Sequence, residues 1–157
     1  MMKVAILGKL PSKFEAPFED KSWEIWAFNE HVDARFLPRV TKWFNLHPYA
    51  ADFNISYTIR NFPFESCEKL VGGQYFNNTL SYLLAFAALQ GAKEISLYGC
   101  NFTADKTERE YELANVREIV FFLKGQHIKI EAPYDCNILK PCYTYIDYKQ
   151  FRKEQKI

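Results

Sequence analysis

Apolar residues in this chain follow two rhythms. Short, mostly apolar runs at Lys3 to Leu7, Trp23 to Phe28, Lys42 to Leu46, Glu94 to Tyr98 and Ile128 to Ile130 have the length of buried strands. The first four are followed by Gly8, Asn29, His47 and Gly99, residue types that suit a turn. The second rhythm is helical. Leu80, Leu83, Leu84, Ala87 and Ala88 keep the i, i+3, i+4, i+7, i+8 spacing that makes one apolar face. Asn77 and Asn78, followed by Thr79, supply side-chain oxygens that can accept the free amide protons of a first helical turn. Gly91 stands where a left-handed residue ends a helix. A further helix is predicted over Thr107 to Lys124, with Leu113, Val116, Val120 and Leu123 on one face and Gly125 at its end.

The remaining stretches carry no period. Lys9 to Lys21 reads as a loop with two prolines and alternating charge, and Asp33 to Val40 as a short helix interrupted at Pro38. Tyr49 to Gly73 is the least regular part, with an edge strand near Ser56 to Ile59 and a turn at Phe62-Pro63. Tyr143 to Tyr148 alternates like a strand, which would cover the core as an edge, pair across a dimer axis in a homo-oligomer, or lie over a ligand. Apolar strands separated by helices predict an α/β fold: a Rossmann-like, doubly wound, mostly parallel sheet with helices on both faces. The expectation is one domain over residues 1–157, with 141–157 as a C-terminal extension. In such a sheet the carboxyl ends of the strands share one rim, so Gly8-Lys9, Asn29, His47 and Gly99 to Asn101 would gather around a ligand crevice there.

Composition narrows the function classes. The chain has 157 residues, 48% hydrophobic and 17% aromatic, enough for a sizeable core. A formal charge of +1 argues against a protein that neutralises a nucleic-acid backbone. Cys67, Cys100, Cys136 and Cys142 form no C-x-x-C pair and no zinc spacing with His31, His47 or His127, so reduced thiols in a cytoplasmic protein are expected. The run in MMKVAILGK is too short for a signal peptide, and no stretch approaches a membrane span.

The candidate chemistry lies on the predicted rim. Gly8-Lys9-x-Pro11-Ser12 is neither a P-loop nor a G-x-G-x-x-G motif, yet a lysine and a hydroxyl beside a glycine turn can hold a phosphate. The helix start at Asn78, Thr79 and Ser81 offers amide donors and a favourable dipole to an anion. His47 is open to three readings: general base, hydrogen-bond donor to a phosphate, or polar strand end. Asp105, Glu108, Glu110 and Glu112 suit either a magnesium site or the dipole of the helix they open. Tyr111 would stack on a base or lie half-buried, and Arg109 and Arg117 would neutralise phosphate or face solvent. Cys100 would be a nucleophile only beside a base, and none is visible in the sequence.

The same residues carry a resemblance. Gly8-x-x-Pro11-Ser12, Ile25 to Asn29, Ser81-Tyr82-Leu83 and Gly91 to Phe102 together resemble a Rossmann-like superfamily. It holds the Campylobacter-type bacterial α-2,3-sialyltransferases and the hydroxymethylpterin pyrophosphokinase-like proteins. Trp23 to Trp26, Trp43-Phe44-x-Leu46-His47 and Tyr75-Phe76 before the long helix are similar to small proteins of tailed bacteriophages. The match spans about residues 3–133 in the same order. It implies Gly8, Pro11 and Ser12 near phosphate or ribose, and Asn29 beside them. Asn78, Thr79 and Ser81 would line the nucleotide, and Gly99 and Asn101 its base. Two departures stand out: Asn101 where the family has Asp, and apolar Val120 to Leu123 where the transferases carry a catalytic His, with His127 close by in the turn. The resemblance therefore implies a nucleotide-binding protein without chemistry, phage-encoded and capturing a nucleotide such as a host immune signal. The alternatives are a transferase or hydrolase of nucleotide sugars or nucleosides, and a protein-interaction module with a degenerate pocket. No cofactor beyond that nucleotide, with or without magnesium, is expected, and no nucleic-acid or membrane partner.

Overall fold

A computed structural model describes residues 1–29, 36–48, 55–102, 107–140 and 153–154. Strands β1 (Met2–Leu7), β2 (Trp23–Phe28), β3 (Lys42–Asn45), β4 (Tyr57–Thr58), β5 (Ala92–Tyr98) and β6 (Lys129–Glu131) form one sheet in the order β4-β3-β2-β1-β5-β6. Among the described residues every pairing is parallel, so the sheet there is all-parallel rather than mostly so. Helices α1 (Phe64–Val71), α2 (Thr79–Leu89) and α3 (Thr107–Gly125) and a 3-10 helix (Pro11–Glu15) stand between strands in the chain.

The strands around Val4 to Leu7 and Ile95 to Leu97 are neighbours inside the sheet. β1 lies between β2 and β5, with Ala5 opposite Ile25 on one side and Ser96 on the other. Strand order runs one way from β1 to β4 and the other way through β5 and β6, so winding reverses between β1 and β5. Right-handed crossovers then place the β1–β2 connection on one face and the β5–β6 connection on the other. This is a doubly wound, Rossmann-like arrangement.

The two faces are covered unequally. Val4, Ile6, Trp26, Phe44, Ile95 and Leu97 point to the face that carries the main core, where they meet α2, α3 and Cys67 of α1. Leu80, Leu84, Ala87, Val116 and Val120 are buried in the same cluster. Helix α2 is apolar on more than the single face its spacing predicts, because Leu83, Ala85 and Phe86 are buried too. The opposite face, with Ala5, Leu7 and Ile25, is packed by Ala16, Phe18, Trp23, Leu37 and Tyr98. Among the described residues that face has a single turn of 3-10 helix (Pro11–Glu15) and loops, not the helices expected on both sides. Arg39 secures the loop by donating to the carbonyls of Phe18, Trp23, Pro17 and Asp20.

Helix ends follow local chemistry. Asn78 caps α2, its Oδ1 accepting from the Ser81 amide at 2.9 Å. Gly91 has φ +89°, the left-handed residue expected after this helix. Helix α1 is not predicted by the sequence pattern; it opens at Pro63 and ends on Gly72, with φ +87°. Residues 36–40 hold no α-helix, and the rest of the short helix expected at Asp33 to Val40 lies outside the described residues, as does the alternating Tyr143 to Tyr148. No helix among the described residues is long and apolar enough to cross a membrane.

Candidate functional site

The ends of β1 and β5 meet at the point where winding reverses. The Gly8 amide donates to the Tyr98 carbonyl at 2.7 Å, and the Leu10 amide to the Gly99 carbonyl at 3.0 Å. The chains are so close that a Cβ on Gly8 would lie 2.4 Å from the Gly99 oxygen. Gly99 also adopts φ +66°, a left-handed conformation that suits glycine.

Above this junction lies a crevice of two lobes. The inner lobe, about 270 Å³, is floored by Gly8, Gly99, Cys100 and Asn101. The outer lobe, about 610 Å³, reaches past His47 to the start of α2 and the first turns of α3. Lys9, Phe28, Asn29, Leu80, Phe102 and Arg109 wall both lobes. Of the residues singled out from the sequence, Gly8, Lys9, Asn29, His47, Asn78, Thr79, Gly99 and Asn101 line this crevice, because strand ends and the start of α2 share one rim.

Four others do not. Ser12 is fully buried, its hydroxyl donating to Asp135 Oδ1 at 2.6 Å and accepting from the Gly99 amide at 2.7 Å. It supports the floor from behind. Pro11 opens the 3-10 helix and is exposed outside both lobes. Ser81 is buried one turn into α2, its amide and hydroxyl both engaged by Asn78. Tyr111 is 68% exposed on α3 and lines neither lobe.

Asn78 spends its carboxamide inside the protein, giving its Nδ2 to the Glu112 carbonyl and to Asn115 Oδ1 as well. Of the first amides of α2, Ser81 is therefore taken. Those of Thr79 and Leu80 have no acceptor among the described residues. Asn29 is held from both sides, its amide donating to the Phe44 carbonyl and its carbonyl accepting from Trp43 Nε1. It adopts φ +61°, and its side-chain oxygen is buried with no donor among the described residues. Buried acceptors are rarely left so.

Among the described residues, charge in the crevice balances. Lys9 and Arg109 face Glu108 and Glu112, and Arg109 Nη1 already pairs with Glu112 Oε2 at 2.7 Å. The Lys9 ammonium is exposed and has no side-chain partner among the described residues. Glu108 and Glu110 occupy the first turn of α3, where the dipole favours them. No group of three or more His, Cys, Asp or Glu that could hold a metal occurs among the described residues; Asp105 lies outside them. Arg117 is away from the crevice, donating to the carbonyls of Ile138 and Asn137.

An aromatic wall closes the outer lobe, and nothing in the sequence pattern marks its residues as part of a site. Phe64, Phe76 and Tyr82 line it. Phe76 stacks on Tyr82 at 4.3 Å between ring centroids, and Phe64 meets Tyr82 edge-on at 4.9 Å. The Tyr82 hydroxyl donates to Glu68 at 3.0 Å, and burial with that carboxylate raises its pKa to about 12. Cys100 is buried, and burial lifts its thiol well above the ordinary range, which leaves it protonated and a poor nucleophile.

Val120 to Leu123 and His127 line neither lobe. Helix α3 starts at the crevice and runs back along the sheet, so Val120 to Leu123 and His127, which precede β6, lie at the opposite edge. His47 is the histidine that lines the crevice among the described residues.

No family model matches the chain, and no curated protein matches it. Among solved structures it is similar to the crystal structure of the sialyltransferase CST-II in complex with trisaccharide acceptor and CMP. Identity is 16%, covering 83% of this chain and 80% of that one, with a TM-score of 0.46. A likeness of that size assigns neither residues nor a ligand.

Proposed function

We propose that this chain binds a nucleotide, or a small molecule derived from one, in the two-lobed crevice. The observation that carries this reading is a juxtaposition. The Lys9 ammonium, unpaired among the described residues, and the open amides at the start of α2 share a crevice with Phe64, Phe76 and Tyr82. A cation and oriented amides hold a phosphate, and aromatic side chains pack a flat ring. The crevice also stands where open parallel sheets take ligands, outside the strand ends at the reversal of winding.

Charge limits the ligand further. Among the described residues, two cations against two carboxylates favour a nucleotide with one phosphate or one phosphodiester. A triphosphate would bring several uncompensated charges into a site that offers one unpaired cation among the described residues.

Capture without chemistry needs nothing beyond these contacts. A second reading, turnover by transfer or hydrolysis, is favoured by His47, an imidazole in the outer lobe and a side-chain type that serves as a general base. The test is incubation of purified protein with a panel of nucleotides and nucleotide sugars, followed by mass spectrometry of the protein-bound fraction and the solution. Unchanged ligand released on denaturation supports capture, and new products in solution support turnover. No ligand in the protein-bound fraction and no new product in solution contradicts both.

A further inference from the structure

The floor of the inner lobe is held by a residue that does not line it. After β6 the chain crosses the rim behind the β5 turn, and Asp135 sits on this crossing. Its two carboxylate oxygens accept from the Ser12 amide at 3.0 Å and the Ser12 hydroxyl at 2.6 Å. That hydroxyl in turn accepts from the Gly99 amide at 2.7 Å. The Asp135 carbonyl accepts from Asn101 Nδ2 at 3.0 Å. Asp135 thus reaches the β5 turn at two points, by way of Ser12 to Gly99 and directly to Asn101. Ser12 is fully buried, so its hydroxyl has no ready substitute partner in water.

The crossing is itself secured. Asn137 exchanges hydrogen bonds with the Phe102 backbone at 3.1 and 2.6 Å, and the Arg117 guanidinium holds the carbonyls of Asn137 and Ile138. Gly99, Asn101 and Phe102 all line the inner lobe. A left-handed glycine has many other conformations open to it. A carboxylate that fixes its amide through a hydroxyl removes that freedom without occupying space in the lobe.

We propose that Asp135 is a positioning residue: through Ser12 it sets the Gly99–Asn101 turn and so preorganises the inner lobe for its ligand. The effect on affinity rests on the nucleotide reading above; the coupling between Asp135 and Gly99 does not. Two measurements separate them. The first is amide hydrogen exchange by NMR on the wild type, Asp135→Asn and Asp135→Ala. Exchange at Gly99 should rise about tenfold or more in Asp135→Ala and by less in Asp135→Asn, which keeps one acceptor oxygen. Amides in the middle of α2 should be unchanged. A general loss of stability would instead raise exchange throughout, and that result, or unaltered exchange at Gly99, overturns the proposal. The second is calorimetric titration with cytidine, uridine, adenosine and guanosine 5′-monophosphates. Affinity should fall about tenfold in Asp135→Ala and Ser12→Ala and return in Ser12→Thr, which keeps the hydroxyl. Equal affinity in wild type and Asp135→Ala, with exchange altered, overturns the link to the ligand. If no monophosphate binds wild type, the nucleotide reading fails, and exchange at Gly99 still decides whether Asp135 holds the turn.

Discussion

Gly8 and Gly99 stand backbone to backbone at the ends of β1 and β5, with no room for a side chain on either. A Cβ on Gly8 would lie 2.4 Å from the Gly99 oxygen, and one on Gly99 would lie 2.6 Å from the Leu10 oxygen. Both obstacles are backbone atoms, which yield less readily than a side-chain tip. This contact sets the floor of the crevice, and it makes the glycines a requirement of the fold before any ligand is considered.

Gly8→Ala should therefore destabilise by at least about 2 kcal/mol, through overpacking against fixed backbone. Gly99→Ala adds the strain of a left-handed alanine and should cost more than Gly8→Ala. Denaturant melts of the two variants check both the size and the order.

Leu84→Ala should cost roughly 2–5 kcal/mol, because the side chain is fully buried between the sheet and its neighbouring helices. A change near zero in the same melts would place α2 in a different rotation.

Asn78→Ala should cost about 1 kcal/mol from loss of the α2 cap alone. The lost bonds to Glu112 and Asn115, which join α2 to α3, add to that. Asn78→Asp keeps the acceptor for Ser81 but loses the donors, so its melting temperature should fall between those of Asn78→Ala and wild type.

Thiol chemistry gives a pH prediction. Burial raises Cys67 from 9.0 to about 12 and raises Cys100 and Cys136 as well. Folded thiols bind protons that unfolded thiols release above the ordinary value. Their contribution is thus constant below pH 9 and turns against the folded state as pH rises from 9 towards 12. Peptide mapping after alkylation at neutral pH should show these three cysteines modified only when denaturant is present. Unfolding free energies measured at rising alkaline pH should decline.

Much of this architecture is legible in the amino-acid sequence. Val4 to Leu7 is a continuous apolar run and Ile95 to Leu97 is broken only by Ser96, a pattern that suits central parallel strands covered on both faces. Once strand ends are placed on one rim, Gly8, Lys9, Asn29, His47, Gly99 and Asn101 follow as neighbours. Side-chain direction does not follow. Ser12 is one residue into a 3-10 turn whose rotation no periodicity announces, and it points behind the floor rather than into the crevice. Helix α1 is hidden because Phe64–Val71 is short and follows Pro63, which reads as a turn. The loops on the second face have no repeat that would show them packing there. The aromatic wall depends on α1, the loop before α2 and α2 itself coming together, a tertiary event with no local mark at Phe64, Phe76 or Tyr82.

Nucleotide binding at Lys9 is tested most directly by calorimetric titration of the same nucleoside monophosphates into wild type, Lys9→Ala and Lys153→Ala. Lys9 is the crevice cation left unpaired among the described residues, and Lys153 is an exposed lysine outside the crevice. Wild type and Lys153→Ala should bind one of the panel alike. Lys9→Ala should bind it roughly 10- to 100-fold more weakly, the worth of one charged hydrogen bond. Equal affinity in all three proteins, or no binding by any, would contradict a nucleotide phosphate seated at Lys9.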